Sequence, residues 1–201
     1  MNKVITIGRE FGSGGREFGR RLAENLGFAY YDQEIITEIV NRTELSADYV
    51  QHMIEKRPVP SFPIHVGRTF HMVANPMLEQ SKILYQKQCE VLREMAERSD
   101  CVIVGRCADY ILRDHRPFRI FVYADTESKL DRCRKKEPEH EHLTDRELRK
   151  RIQDVDRQRS HYYRFYTDQV WGERINYDLC INTTNTPIKE ISEILTKLFV
   201  H

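Results

Sequence analysis

Ten residues near the start of the chain carry the clearest chemical signal: Gly8-Arg9-Glu10-Phe11-Gly12-Ser13-Gly14-Gly15-Arg16-Glu17. Glycines at this density let the backbone turn back and aim successive N–H groups inward. Where such a turn opens a helix, the helix N-terminus adds partial positive charge at the same point. The result is an anion cradle suited to a polyphosphate, with Gly12, Ser13, Gly14, Gly15, Arg16 and Glu17 as its expected lining. The fit to the GxxxxGK[ST] pattern is incomplete. Gly15 falls at the lysine position and no hydroxyl residue follows it. Arg16 is the nearest cation, able to hold two phosphates bidentately where lysine is a point charge. The usual metal ligand is lost with the hydroxyl, which leaves Ser13 and Asp32, directly or through water, as candidates.

The surrounding pattern supplies elements to position this loop. Val4-Ile5-Thr6-Ile7 reads as a buried strand before it. Phe18, Leu22 and Leu26 then recur every four residues as one helical face, and Gly27 stands at the C-cap position. Further strands are expected over 28–31, 101–104, 119–124 and 178–182. The segment 33–100 is otherwise mostly helical, with Ser46 capping 47–56 and a long helix over 77–98. Three prolines make 57–63 a loop. A closing helix is expected from Pro187, capped by Thr186. Short apolar strands separated by helices predict a three-layer α/β domain with a parallel five-stranded sheet over 1–201. In such a sheet Asp32, at a strand's carboxyl end, faces the same edge as the loop.

The stretch from Arg132 to Arg164 holds eleven Lys/Arg against seven Asp/Glu, and Thr144 with Glu147 forms a capping box inside it. Tyr162, Tyr163, Phe165 and Tyr166 near its end are expected to pack this arm. His140 and His142 fall in an acidic stretch that reads as a solvated tip, and His161 has no partner at metal-ligand spacing.

The 201 residues amount to 24.0 kDa, enough for one sizeable core. Lys+Arg of 32 against Asp+Glu of 31 argues against a general nucleic-acid coat. No stretch approaches a membrane span, and Val4–Ile7 is too short for a leader's apolar run. The five cysteines form no CxxC pair. They read as reduced thiols in a cytoplasmic protein that binds small molecules, not a nucleic-acid polymer or a membrane.

With its glycine loop, Tyr31-Asp32, Val104-Gly105-Arg106, the arginine-rich arm, Arg157-Gln158-Arg159-Ser160-His161-Tyr162-Tyr163, Trp171-Gly172 and Asn176-Tyr177-Asp178 in this order, the chain resembles the cytidylate kinase-like family. These are P-loop nucleoside monophosphate kinases, and the resemblance spans essentially the whole chain. It implies a P-loop NTPase fold with a helical acceptor region at 33–100 and a lid at 133–165. It implies ATP as donor, Mg²⁺, and CMP or dCMP as acceptor. Arg106 resembles the arginine that grips the acceptor phosphate, and Arg132, Arg157 and Arg164 resemble lid arginines facing the phosphates. Two departures stand out. Members carry Asp directly after the Gly-Arg pair; here Cys107 follows and the nearest acid is Asp109. Their Ser-Gly-Ala-x-Tyr-Arg stretch is Asp32-Gln33-Glu34-Ile35-Ile36. Phosphoryl transfer is thus carried by more residues than cytosine selection.

Phosphoryl transfer needs in-line positioning and concentrated positive charge, not a nucleophilic side chain. Arg16, Arg132, Arg157 and Arg164 are the expected catalytic cations, and Asp32, Arg106 and Asp109 the expected acceptor contacts. A P-loop kinase for another small acceptor, and a nucleotide-binding protein without turnover, are the two other classes these residues allow.

Overall fold

Strand β1 (Val4–Arg9) alternates its side chains between two buried faces, and that alternation sets the layers of the fold. Ile5 and Ile7 point to one face, beside Val102 and Val104 of β3 (Cys101–Val104). Phe18 and Leu22 of α1 (Gly15–Leu26) pack there, joined by α8 (Ile188–Phe199). Val4, Cys101 and Ile103 point to the other face. That side is covered by α2 (Glu34–Asn41), α3 (Ala47–Glu55), α4 (Pro76–Arg98) and the short α5 (Ala108–Ile111). This computed structural model describes residues 2–43, 45–55, 76–136 and 143–200, with backbone only at 52, 54, 55, 76 and 77.

The sheet has five strands in the order β2-β3-β1-β4-β5, with β2 at Ala29–Tyr31, β4 at Phe118–Tyr123 and β5 at Leu179–Asn182. Every pairing is parallel, with Ile7 opposite both Val104 and Ile120. Parallel strands need crossovers, so helices cover both faces and the strands become near-continuous apolar runs. All five carboxyl ends therefore lie along one edge.

The expected strands are present, with adjusted ends. β1 runs two residues past Ile7, because Gly8 and Arg9 continue the ladder opposite Phe121 and Val122. Thr186 does not cap the last helix. Pro187 is extended, with ψ 130°, and takes the cap position without a side-chain bond, so the helix begins at Ile188. Ser46 does cap α3, accepting from the Tyr49 N–H at 3.3 Å. The proline loop 57–63 and the acidic tip with His140 and His142 lie outside the described residues.

The arginine-rich arm comprises α6 (Thr126–Lys135) and α7 (Asp145–Thr167), and the Thr144–Glu147 capping box opens α7. The two halves of α7 pack differently. Leu148 and Ile152 join Leu130 in a small cluster of their own, beside Phe11 and Cys133. Tyr162 and Tyr163 are instead buried in the main core, and Tyr166 stacks on Tyr85 of α4 at 3.9 Å. The tyrosines expected to pack an arm thus fasten the end of α7 to the body of the domain. Among the described residues no helix is long and apolar enough to cross a membrane.

Candidate active site

The glycine loop leaves β1 at Arg9 and enters α1 at Gly15. Gly14 is the N-cap and has no side chain to cap the helix; the Gly15 N–H donates to the Ser13 hydroxyl at 3.4 Å, and the Arg16 and Glu17 amides that follow lack an intrahelical partner, as in an anion cradle. The loop is held from three directions. Lys129 of α6, buried, places Nζ 2.6 Å from Glu10 Oε2 and 3.3 Å from Asp156 Oδ2. The other Asp156 oxygen accepts the Phe11 N–H at 2.7 Å. Thr183, just past β5, donates its hydroxyl to the Ser13 carbonyl at 2.7 Å. Burial raises the Asp156 carboxyl above its usual range, opposed by the Phe11 amide and then by Lys129.

Lys129 is thus the cation that makes two carboxylates tolerable beneath the loop. Lys129→Met should cost about 3 kcal/mol, since removing one member of a buried ion pair strands its partners. For a chain of this size that is a fall in Tm of roughly 10 °C. Adding Glu10→Gln and Asp156→Asn should recover part of it. A melting curve unchanged in Lys129→Met would remove the clamp from the account.

Four guanidinium groups converge beside the loop: Arg9, Arg16, Arg106 and Arg159. Asp32 lies among them, 2.5 Å from Arg16 Nε and 3.6 Å from Arg9 Nη2. Arg159 Nη1 donates to the Arg9 carbonyl at 3.1 Å, and its guanidinium lies 3.8 Å from Asp156. Burial, then repulsion from Arg159, drives the Arg9 guanidinium well below its usual value, with Asp32 opposing. A buried concentration of positive charge of this kind is arranged for an anion.

Backbone geometry helps to build this cluster. Gly105, Arg106 and Cys107 are consecutive left-handed residues, at φ 77°, 61° and 54°. Two non-glycine residues in that region cost on the order of 1–3 kcal/mol each. The turn is held by Gln88 of α4, buried, whose Nε2 donates to the Arg106 carbonyl at 2.9 Å. It buries Arg106 beside Arg9.

Two cavities meet at the cluster. The larger, about 430 Å³, runs between the glycine loop and the arm and is lined by Gly12, Gly14, Arg16, Arg132 and Arg151 among others. The smaller, about 60 Å³, lies over the end of β3 and is lined by Arg106, Asp109, Tyr163, Trp171 and Tyr177 among others. Arg9 and Arg159 line both. In the sequence Arg9 reads as a loop residue, and Arg159 belongs to the Arg157-Gln158-Arg159 motif but is not among the expected catalytic cations.

Nine of the twelve expected site residues fall into three groups. Gly12, Gly14, Gly15, Arg16 and Arg132 line the larger cavity, and Arg132 also donates to the Thr183 carbonyl. Arg106 and Asp109 line the smaller one. Asp109 accepts from the Tyr163 hydroxyl at 2.6 Å, and burial raises its carboxyl against that bond. Arg157 and Arg164 line neither cavity. Arg157 is 66% exposed, with Asp154 at 3.9 Å, and Arg164 is also exposed. The reason is helical phase: two residues from Arg159 is about 200° around α7. The face of α7 that meets the site presents Arg151 and Arg159 instead.

Glu17 is turned to cations: Arg21 Nε donates to it at 3.0 Å and Lys136 lies 3.4 Å away, so its backbone amide is what it can offer a phosphate. The metal candidates fit poorly. The Ser13 hydroxyl, buried, donates to the Glu10 carbonyl at 2.8 Å, and Asp32 sits between two guanidinium groups. No cluster of three or more His, Cys, Asp or Glu able to hold a metal occurs among the described residues. Ile35 and Ile36, in the stretch that departs from the family pattern, are buried in the core.

The profile of the cytidylate kinase-like family matches residues 4–185. No curated protein matches the sequence. Among solved structures, an uncharacterized protein from Eubacterium ventriosum superposes with a TM-score of 0.70 at 24% identity, covering 98% of both chains. Shikimate kinase from Bacteroides thetaiotaomicron gives 0.57 at 14% identity, again over 98% of both. Shikimate kinase from Acinetobacter baumannii, in complex with shikimate, gives 0.55 at 17%, covering 99% of this chain and 93% of that one. These likenesses establish the P-loop NTPase fold, and the family adds kinase character and the use of ATP. The glycine loop after β1, the arginine after β3 and the basic arm are therefore those of a member of the cytidylate kinase-like family.

Proposed function

We propose that this chain transfers the γ-phosphoryl group of ATP to a nucleoside monophosphate, with CMP or dCMP the first acceptors to try. The observation that carries the reading is the pair of cavities sharing Arg9 and Arg159. The larger has the volume of an ordinary ligand site and the amides of the glycine loop on one wall. The smaller, at about 60 Å³ and lined by Arg106, has room for a phosphate-sized group. A phosphoryl group moving from one to the other passes the two shared arginines.

The proposed roles follow from position. Gly12 to Glu17 hold the donor phosphates through backbone amides, with Arg16 and Arg132 adding charge from the rim. Arg106 holds the acceptor phosphate. Arg9 and Arg159 stabilise the charge that spreads over the transferred group, the term that dominates such reactions. Asp32 keeps Arg9 and Arg16 oriented. The acceptor phosphate is its own nucleophile, so no general base is assigned. Mg²⁺ would arrive on ATP. Arg157 and Arg164 could contribute only after a large movement of α7, which its buried tyrosines oppose.

A second reading has its own support. The smaller cavity is tight for a base and sugar, and the buried carboxyl of Asp109 lines it. A small hydroxylated acceptor would find there both arginines and, in ionised Asp109, a carboxylate to take the hydroxyl proton. ADP release from ATP and Mg²⁺ over a panel of nucleoside monophosphates, sugars and hydroxy acids separates the readings. Turnover with a monophosphate alone supports the first, and turnover with a hydroxyl acceptor alone replaces it by the second. ATP binding without turnover on any acceptor overturns both.

A further inference from the structure

We infer that Arg9 and Gly15 have exchanged the side chains that GxxxxGK assigns to its first glycine and its lysine, so that Arg9 makes the phosphate contact from the end of β1. The inference rests on the kinase reading, but on its ATP site only. The spacing sets up the pair: with Gly14 as the second glycine, Arg9 occupies the first glycine position and Gly15 the lysine position. The geometry explains why both changes come together. A Cβ on Gly15 would stand 2.5 Å from the Arg9 Cβ and 3.1 Å from its Cγ, with the Val122 Cβ at 3.3 Å on the third side. The space between β1 and α1 admits one side-chain stem. In this chain that stem belongs to Arg9.

The guanidinium group at its end reaches where a phosphate would need it. It passes over Gly105, approaches Asp32 at 3.6 Å and emerges where the two cavities meet. Its side chain is only 11% exposed, whereas that of Arg16 is 53% exposed and paired with Asp32. Arg16, the cation expected to replace the lysine, is thus a contact at the rim of the donor cavity, and the lysine's place goes to Arg9.

The test is the affinity of the intact chain for ATP alone, by titration calorimetry, with thermal melts of each variant. Arg9→Gln keeps the stem and removes the charge, and Arg9→Gly removes both. Each should weaken ATP binding about tenfold or more, the worth of one charge-assisted bond. Gly15→Lys alone should melt early or bind equally weakly, because two stems collide. The double variant Arg9→Gly/Gly15→Lys should return to within about threefold of the parent affinity. Arg9→Ala/Gly15→Lys should not, since the alanine Cβ keeps the 2.5 Å collision. Parent-like affinity in Arg9→Gln, or no recovery in the first double variant, overturns the exchange. Because no acceptor is present, a failed acceptor panel does not touch this result. A parent chain that binds no ATP overturns the exchange and the kinase reading together.

Discussion

Gly105→Ala is expected to fold and to lose turnover by on the order of 10²-fold or more. The backbone there has φ 77°, so an alanine adds about 1 kcal/mol of strain, a small loss for the fold. Function is more sensitive. The new Cβ would stand 1.8 Å from Arg9 Nη1 and 2.8 Å from its Cζ. The far end of an arginine can swing aside, which spares stability but moves the guanidinium off the junction of the two cavities. Transition-state charge is then met by one shared arginine where there were two. The measurement is kcat at saturating ATP and acceptor, beside a melting curve. Parent-like kcat in a folded variant would remove Arg9 from the reaction.

Arg159→Ala should lower kcat by a similar factor, on the order of 10²-fold, while Arg157→Ala stays within about threefold of the parent. The two residues share a helix, a charge and nearly a position. They differ in phase, since Arg159 lines both cavities and Arg157 is turned to solvent. Arg159 also donates to the Arg9 carbonyl, so its loss should loosen the end of β1 as well. Equal losses in the two variants would mean that the arm rotates during the cycle. The arginines on its outer face, Arg157 and Arg164, would then belong in the site.

Much of this architecture is legible in the sequence. The inner strands β1, β3 and β4 are largely buried, so they appear as short apolar runs, as at Cys101–Val104 before Gly105, while the half-buried edge strand β2 is legible from its aromatic pair before Asp32. The glycine loop is legible because few other structures need so many glycines between a strand and a helix. What is hidden depends on side-chain direction. Nothing local distinguishes Arg9 from a loop arginine, and its role follows from the stem space shared with Gly15 and from the bare face of Gly105. Within the arm, eleven basic residues over thirty-three positions give the charge but not the phase. Phase is set by the burial of Leu148, Ile152, Tyr162 and Tyr163, and that burial selects Arg151 and Arg159. Ser13 shows the same limit: its type suits a metal ligand, yet its hydroxyl closes a bond inside the loop.

The proposed function needs the two cavities that share Arg9 and Arg159 to be two nucleotide sites. A compound joining adenosine to cytidine through five phosphates should then span both, and its calorimetric titration against the intact chain tests that claim most directly. Tethering makes the second contact intramolecular, so the compound should bind one per chain and on the order of 10²-fold tighter than ATP. Arg106→Ala should remove most of that advantage while leaving ATP affinity nearly unchanged. Binding no tighter than ATP, or an advantage untouched by Arg106→Ala, would contradict the account.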